Sequence, residues 1–189
     1  MLALQGASGL HVEMFGRIGI EARTVRTAGE LDCVDALVIP GGESTTISKL
    51  LDANELFEPL RERLDSGMPA LGTCAGMILL AEAIIDGRSD QRPLAAIDID
   101  VRRNAFGRQF DSFEADLPIT GLDEPLHAVF IRAPLVERVG PGVEVLATVD
   151  ERPVCCRERA VMVSSFHPEL SDDVRLHELF LRHVSDVRT

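Results

Sequence analysis

An α/β fold, with a mostly parallel central sheet and helices on both of its faces, is the architecture this sequence predicts. Three observations carry that expectation. Short apolar runs such as Ala36-Leu37-Val38-Ile39 and Ala70-Leu71 lack polar alternation, as strands covered on both faces do. Through the first half of the chain such runs alternate with helical periodicities, which implies parallel strands joined by right-handed crossovers. The runs end in glycine, at Gly41-Gly42 and at Gly72, at the carboxyl ends of strands where open α/β sheets bind ligands.

Taken in order, Met1-Leu2-Ala3-Leu4 reads as a short strand that stops at Gln5-Gly6. Residues 10–18 read as a helix, with Leu10, Met14, Phe15 and Ile18 at helical spacing and His11 expected on its surface. Residues 22–25 suit a second short strand. A helix is expected to begin near Ser44-Thr45, and another over residues 55–64, where Leu56, Leu60 and Leu64 align. Beyond the Cys74 region, residues 96–101 alternate Ile97, Ile99 and Val101 with Asp98 and Asp100, the pattern of a half-exposed strand. Residues 112–117, 126–131, 143–149, 154–156 and 160–166 are further strands divided by Gly and Pro turns. A last helix from about Asp172 aligns Leu176, Leu179, Phe180 and Val184. With no repeat, linker or low-complexity stretch, residues 1–189 read as one α/β domain.

Composition bounds the function. Asp and Glu outnumber Lys and Arg 31 to 19, for a net charge of −12. Such a field repels polyphosphate, so nucleic acid is not an expected partner. No apolar run approaches the roughly 20 residues of a membrane span. The N-terminus lacks the pattern of a secretion signal, and the four cysteines (33, 74, 155, 156) form neither a disulfide framework nor a zinc signature. Adjacent Cys155 and Cys156 should face opposite sides of a strand. A reduced, cytoplasmic setting follows as the expectation.

The chemistry-bearing stretch is Met68-Pro69-Ala70-Leu71-Gly72-Thr73-Cys74-Ala75-Gly76-Met77-Ile78-Leu79-Leu80. A strand runs into Gly-x-Cys-x-Gly and then into a helix, the layout of a nucleophile elbow. Its glycines present no Cβ where strand, helix and substrate crowd together. The plainer account is a small buried cysteine in a glycine-rich turn. A cysteine nucleophile needs a base, and His167 is the best placed of the five histidines, because it follows a buried strand and precedes Pro168-Glu169. Proline favours an extended residue before it, so His167 and Glu169 should project to one side, with the carboxylate orienting the imidazole. Pro40-Gly41-Gly42-Glu43-Ser44 could aim backbone N–H groups at a developing oxyanion, as could the N–H of Ala75. It lacks the Gly-Lys-Ser/Thr ending of a P-loop. The basic loop from Arg102 to Gln109, and Arg132, suit either solvent or a carboxylate-bearing substrate.

These motifs together resemble class I glutamine amidotransferases. The elbow Gly72-Thr73-Cys74-Ala75-Gly76, the turn Pro40-Gly41-Gly42-Glu43-Ser44-Thr45-Thr46 and the terminal Ser165-Phe166-His167-Pro168-Glu169 carry the likeness. Leu4-Gln5-Gly6, Arg103-Asn104-Ala105-Phe106-Gly107-Arg108-Gln109, Asp111-Ser112-Phe113-Glu114-Ala115-Asp116 and Val129-Phe130-Ile131-Arg132-Ala133-Pro134 narrow it to the PdxT family, the glutaminase subunits of pyridoxal 5′-phosphate synthase. The resemblance spans essentially the whole chain. It implies a flavodoxin-like three-layer α/β sandwich, with Cys74 as nucleophile, His167 as general base and acid, and Glu169 as its partner. It further implies that Gly42, Glu43, Ser44, Arg103, Ile131 and Arg132 bind L-glutamine. The N–H groups of Gly42 and Ala75 would form the oxyanion hole, with Gln5 nearby. No cofactor or metal is implied. The implied partner is a (β/α)₈ synthase subunit that receives the ammonia and without which family members are poorly active. Family members carry several more residues ahead of Leu-Gln-Gly, so the first strand is expected to be unusually short and to lie centrally in the sheet. The rival readings are a docking subunit without activity and a cysteine-elbow protein of the DJ-1/PfpI type.

Overall fold

The computed structural model describes residues 1–103 and 112–187. The first half supplies α1 (Ser8–Arg17), α2 (Ala28–Leu31), β1 (Leu37–Ile39), α3 (Ser44–Ala53), α4 (Phe57–Asp65), β2 (Ala70–Thr73), α5 (Ala75–Leu80) and β3 (Ala81–Ile84). The second half supplies β4 (Ile97–Arg102), β5 (Ser112–Leu117), β6 (Leu126–Ile131), β7 (Leu135–Val139), β8 (Glu144–Val149), β9 (Arg152–Glu158), β10 (Val161–Ser164), a 3₁₀ turn (Pro168–Leu170) and α6 (Arg175–Val187).

The main sheet runs β1-β2-β10-β9-β8. Its parallel part is β1, β2 and β10, and the antiparallel strands β9 and β8 extend it on the far side. Successive side chains divide the core between the two faces, as the period of a strand requires. Leu37, Ile39, Ala70, Val161 and Val163 pack with α3, α4 and α5, and Val38, Leu71 and Met162 pack with α1 and α6. Cys156 belongs to the first of these cores and Cys155 to the second, the opposed placement that their adjacency predicts. The expected stripes Leu56, Leu60, Leu64 and Leu176, Leu179, Phe180, Val184 are all buried. Smaller sheets β3-β4-β7 and β5-β6 flank this framework, and β4 alternates buried and half-buried residues as expected.

Three expectations need adjustment. Residues 1–4 and 22–25 contribute only a single parallel bridge, Leu2 to Val25, and no regular strands. The segment does sit inside the sheet, because Leu2 N–H donates to Val38 and Ala3 N–H donates to Val25 on the other side. Strands β3 and β7 and the one-turn helix α2 were not anticipated. Helix α2 is set by a capping box between Thr27 and Glu30, a local signal that its four-residue length hides from periodicity. His11 is not on the surface of α1: it is fully buried, and Leu10 is the exposed residue at 39%. The stripe facing the core starts one position later than the apolar residues alone indicate.

Candidate active site

Strands β2 and β10 are parallel neighbours, with Ser164 opposite Thr73, so their carboxyl ends open at the same edge of the sheet. The chain leaves β2 through Cys74, whose φ of 48° and ψ of −100° lie where a non-glycine residue is strained. Its N–H donates to the Ser164 carbonyl at 2.8 Å, and its carbonyl accepts from Ile78 in the first turn of α5. The elbow depends on absent side chains. A Cβ on Gly76 would stand 2.0 Å from the Ile39 carbonyl oxygen, and one on Gly72 would stand 2.7 Å from the backbone of Gly76. Cys74 is left 8% exposed, at the wall of a cleft.

His167 follows β10, with its N–H bonded to the Val129 carbonyl of β6 at 2.8 Å. Nδ1 lies 2.8 Å from Oε1 of Glu169. The expected pairing is therefore present, although by another route: residues 168–170 form a 3₁₀ turn rather than an extended segment, and that turn brings the carboxylate back beneath the ring. Burial opposes a charged imidazole here. Interaction with Cys74 on one side and the hydrogen bond to Glu169 on the other overcome it, and the pKa is pushed up from 6.5 to about 10. Burial likewise works against a charged Glu169, but the His167 hydrogen bond and the nearby histidines hold its pKa below the usual value.

The cleft encloses about 400 Å³ and is lined by Gln5, Gly42, Glu43, Ser44, Cys74, Ile78, Arg103, Ile131, Arg132 and His167. That volume lies in the range of small-molecule sites. The structure thus gathers Cys74, His167, Gly42, Glu43, Ser44, Arg103, Ile131 and Arg132 around one space, with Glu169 behind His167. Ala75 sits at the first position of α5, next to Cys74. Asn104 to Asp111, including Arg108 and Gln109 of the basic loop, lie outside the described residues.

The turn after β1 is pinned from three sides. Gly41 N–H donates to the Thr73 hydroxyl at 3.0 Å, its carbonyl accepts from Ala7, and Glu43 N–H donates to Gln5 Oε1 at 2.9 Å. A Cβ on Gly41 would stand 2.4 Å from His167 Cε1. The Glu43 carboxylate is taken up in capping α3: it accepts from Thr45 N–H, Thr46 N–H and the Thr46 hydroxyl. Partial burial works against its charge, yet these donors bring its pKa down to about 2. Arg103 donates from Nη1 to Thr45 Oγ1 at 2.9 Å and to Gln91 Oε1 at 3.2 Å, and its own N–H donates to Asp86. The guanidinium is held at the wall of the cleft by these partners and by the Asp86 carboxylate, 3.8 Å from Nε.

Sequence reasoning did not single out Thr73, Ile78, Gln91 or His11 for the site. The signal for His11 was present, since residues 11, 14, 15 and 18 keep the i, i+3, i+4, i+7 spacing of a buried face. The other cysteines are elsewhere. Cys155 and Cys156 are buried in the two cores, where burial raises both thiols, Cys156 to about 12, and Cys33 is exposed on the surface. Among the described residues, no helix is long and apolar enough to cross a membrane.

Residues 1–186 match the SNO glutamine amidotransferase family. Among curated proteins, the chain is 57% identical to pyridoxal 5′-phosphate synthase subunit PdxT of Mycobacterium sp. (strain KMS), over 98% of this chain and 92% of that protein. It is 54% identical to the PdxT subunit of Nocardioides sp. (strain ATCC BAA-499 / JS614), over 100% and 96% of the two chains. A solved glutamine amidotransferase superposes with a TM-score of 0.92 at 48% identity, covering 97% of each chain. A GMP synthase subunit from Thermoplasma acidophilum, at 16% identity and a TM-score of 0.68, shares the fold over 99% and 94% of the two chains. The α/β fold is that of a class I glutamine amidotransferase, and this chain belongs to the SNO glutamine amidotransferase family.

Proposed function

We propose that residues 1–189 form one glutaminase domain, which hydrolyses L-glutamine to L-glutamate and ammonia for a (β/α)₈ synthase partner that builds pyridoxal 5′-phosphate in the cytoplasm. The observation that carries this reading is the convergence of Cys74, His167 and Glu169 from the ends of adjacent strands upon a cleft of amino-acid size. Family membership and the names of the PdxT relatives support the substrate and the partner.

In this reading the Cys74 sulfur attacks the side-chain amide carbon. His167, fixed at Nδ1 by Glu169, presents its other nitrogen to the sulfur, and then protonates the departing ammonia. A water activated by the same imidazole releases glutamate from the thioester. Gly42, exposed at the turn, and Ala75, first in α5, would offer N–H groups to the oxyanion. Ser44, Ile131, Arg132 and Arg103 surround the rest of the substrate, and a guanidinium suits its α-carboxylate. Glu43 serves by shaping the turn at the cleft wall, because its carboxylate is engaged by α3 and its N–H by Gln5.

The test is glutamine-dependent ammonia release by this chain assembled with its synthase partner. Cys74→Ala should abolish it, and diazo-oxonorleucine should label Cys74. Appreciable turnover by Cys74→Ala, or an adduct mapped to Cys33, Cys155 or Cys156, would overturn the mechanism.

A further inference from the structure

His11 is fully buried on α1, and nothing in the chemistry above uses it. Its Nε2 lies 3.2 Å from the Thr73 hydroxyl and 3.3 Å from Oε2 of Glu169. Its Nδ1 lies 2.9 Å from Nε2 of His177, a fully buried residue of α6 whose ring stands edge-on to Phe15. The two histidines therefore continue the series of contacts from His167 and Glu169 into the core, as far as α6. Glu169 Oε2 has no aligned hydrogen bond among the described residues, although it is buried and charged. The His11 ring nitrogen stands beside it, within ion-pair distance.

Where the protons sit follows from the ends of this chain. His177 Nδ1 is buried without a partner among the described residues. A bare nitrogen there is tolerated better than an orphaned N–H. His177 then carries its proton on Nε2 and donates it to His11 Nδ1, which leaves the His11 proton on Nε2. The reverse arrangement lets the Thr73 hydroxyl donate to His11 Nε2, but it is disfavoured at His177 and at the carboxylate. It would bury an unpaired N–H on His177 and set a His11 lone pair against a carboxylate.

We propose that His11 is a positioning residue for the glutaminase reaction: as the Nε2–H tautomer, it donates to Thr73 Oγ1 and sets the positive end of the same N–H beside Glu169 Oε2. That holds the carboxylate square to His167. It also ties the end of β2, one residue before Cys74, to the Gly41 turn, because the same Thr73 hydroxyl accepts from Gly41 N–H. His177 fixes the tautomer. The competing account, a packing histidine in a stripe of core residues, predicts that only size and burial at position 11 matter.

The proposal rests on the Cys74, His167, Glu169 reading, so turnover is compared in the chain assembled with its synthase partner. In His11→Gln the side-chain amide nitrogen reaches the place of Nε2. In His11→Asn it reaches only the place of Nδ1, toward His177. His11→Gln should keep most of the wild-type kcat, while His11→Asn should lose about tenfold to a hundredfold in kcat with little change in KM for glutamine. Equal kcat in the two variants, or wild-type kcat in His11→Asn, would overturn the proposal. So would a loss confined to KM. Nitrogen-15 shifts of the wild-type ring give a reading independent of any variant. They should show His11 neutral and protonated at Nε2, and protonation at Nδ1 would overturn the assignment. An inactive wild-type complex would instead overturn the glutaminase reading, with the ring-nitrogen shifts still deciding the tautomer.

Discussion

On the elbow side of the cleft, the geometry comes from backbones packed so closely that only glycine fits between them. Gly72, Cys74 and Gly76 stand within five residues, and each glycine faces a carbonyl or backbone atom where its Cβ would be. On the imidazole side the geometry comes from side chains that meet across the fold: His167 on Glu169, Glu169 beside His11, and His11 on His177, 166 positions apart in sequence. The first side has no room for atoms. The second depends on where protons and charges are placed. Substitutions should therefore fail differently on the two sides, sterically at the elbow and electrostatically at the imidazole.

The sharpest test of that contrast is Glu169→Gln, which keeps shape and removes charge. Without a carboxylate at Nδ1 the imidazolium loses its counter-charge, and a corresponding change in a serine triad costs about 10⁴-fold, or roughly 5 kcal/mol. Turnover of the assembled enzyme should fall on that scale while the melting temperature stays near wild type. Full activity would remove Glu169 from the site. Next in size, Gly76→Ala should destabilise the fold by about 3 kcal/mol or more, because the added carbon overlaps the Ile39 carbonyl oxygen and neither backbone can give way. Urea unfolding measures it. A midpoint unchanged from wild type would mean that the elbow is looser than its backbone contacts require.

The same contrast decides what could be read from the sequence. The elbow was legible because its constraint is local: Gly-x-Cys-x-Gly after an apolar run dictates the turn with no reference to the rest of the fold. The β1 turn and the His167–Glu169 pair were legible for the same reason, although the pair closes through a 3₁₀ turn that the proline, read as enforcing extension, did not indicate. His11 was missed because a polar residue in an apolar stripe looks like a surface position until α6 arrives with its own buried histidine. The N-terminal segment was misjudged in its regularity. Leu2 and Val25 form one bridge where neighbouring residues find other partners. In the fold, the parallel half was marked by unbroken apolar runs, and the antiparallel extension through β8 and β9 by turn-punctuated strands. The pairing of β3 with β4 and β7 left no periodic trace in such short segments.

Gly41 lies where the two sides touch, so it separates the two kinds of failure in one residue. Its missing Cβ would stand 2.4 Å from Cε1 of His167, a side chain that can move, unlike the Ile39 carbonyl behind Gly76. Gly41→Ala should therefore fold, with the imidazole displaced from Cys74. A misplacement of about 1 Å costs on the order of 10²-fold in rate. The expected result is a loss of that order in kcat with a small change in the urea midpoint. A large loss of stability instead would assign Gly41 to the rigid side.

The smallest effect is a dependence on pH that belongs to the imidazole side alone. Burial, above all, holds His11 at about 4 and His177 at about 3, against 6.5 for a free histidine, although the Glu169 charge opposes this in both. The unfolded chain takes up a proton at each ring near pH 6.5, and the folded chain refuses it until far lower. Between pH 6.5 and about 4 the unfolded state thus binds more protons, so stability rises with pH through that window. The contribution is complete above 6.5 and is lost as pH falls toward 4. Each histidine adds a slope of up to about 1.4 kcal/mol per pH unit. Urea midpoints at pH 7 and pH 5 should converge in His11→Gln relative to wild type, because one of the two refused protons is gone. Parallel slopes for variant and wild type would mean that His11 already accepts a proton when folded. The chamber behind Glu169 would then be wet, and the division between a steric side and an electrostatic side would no longer describe this cleft.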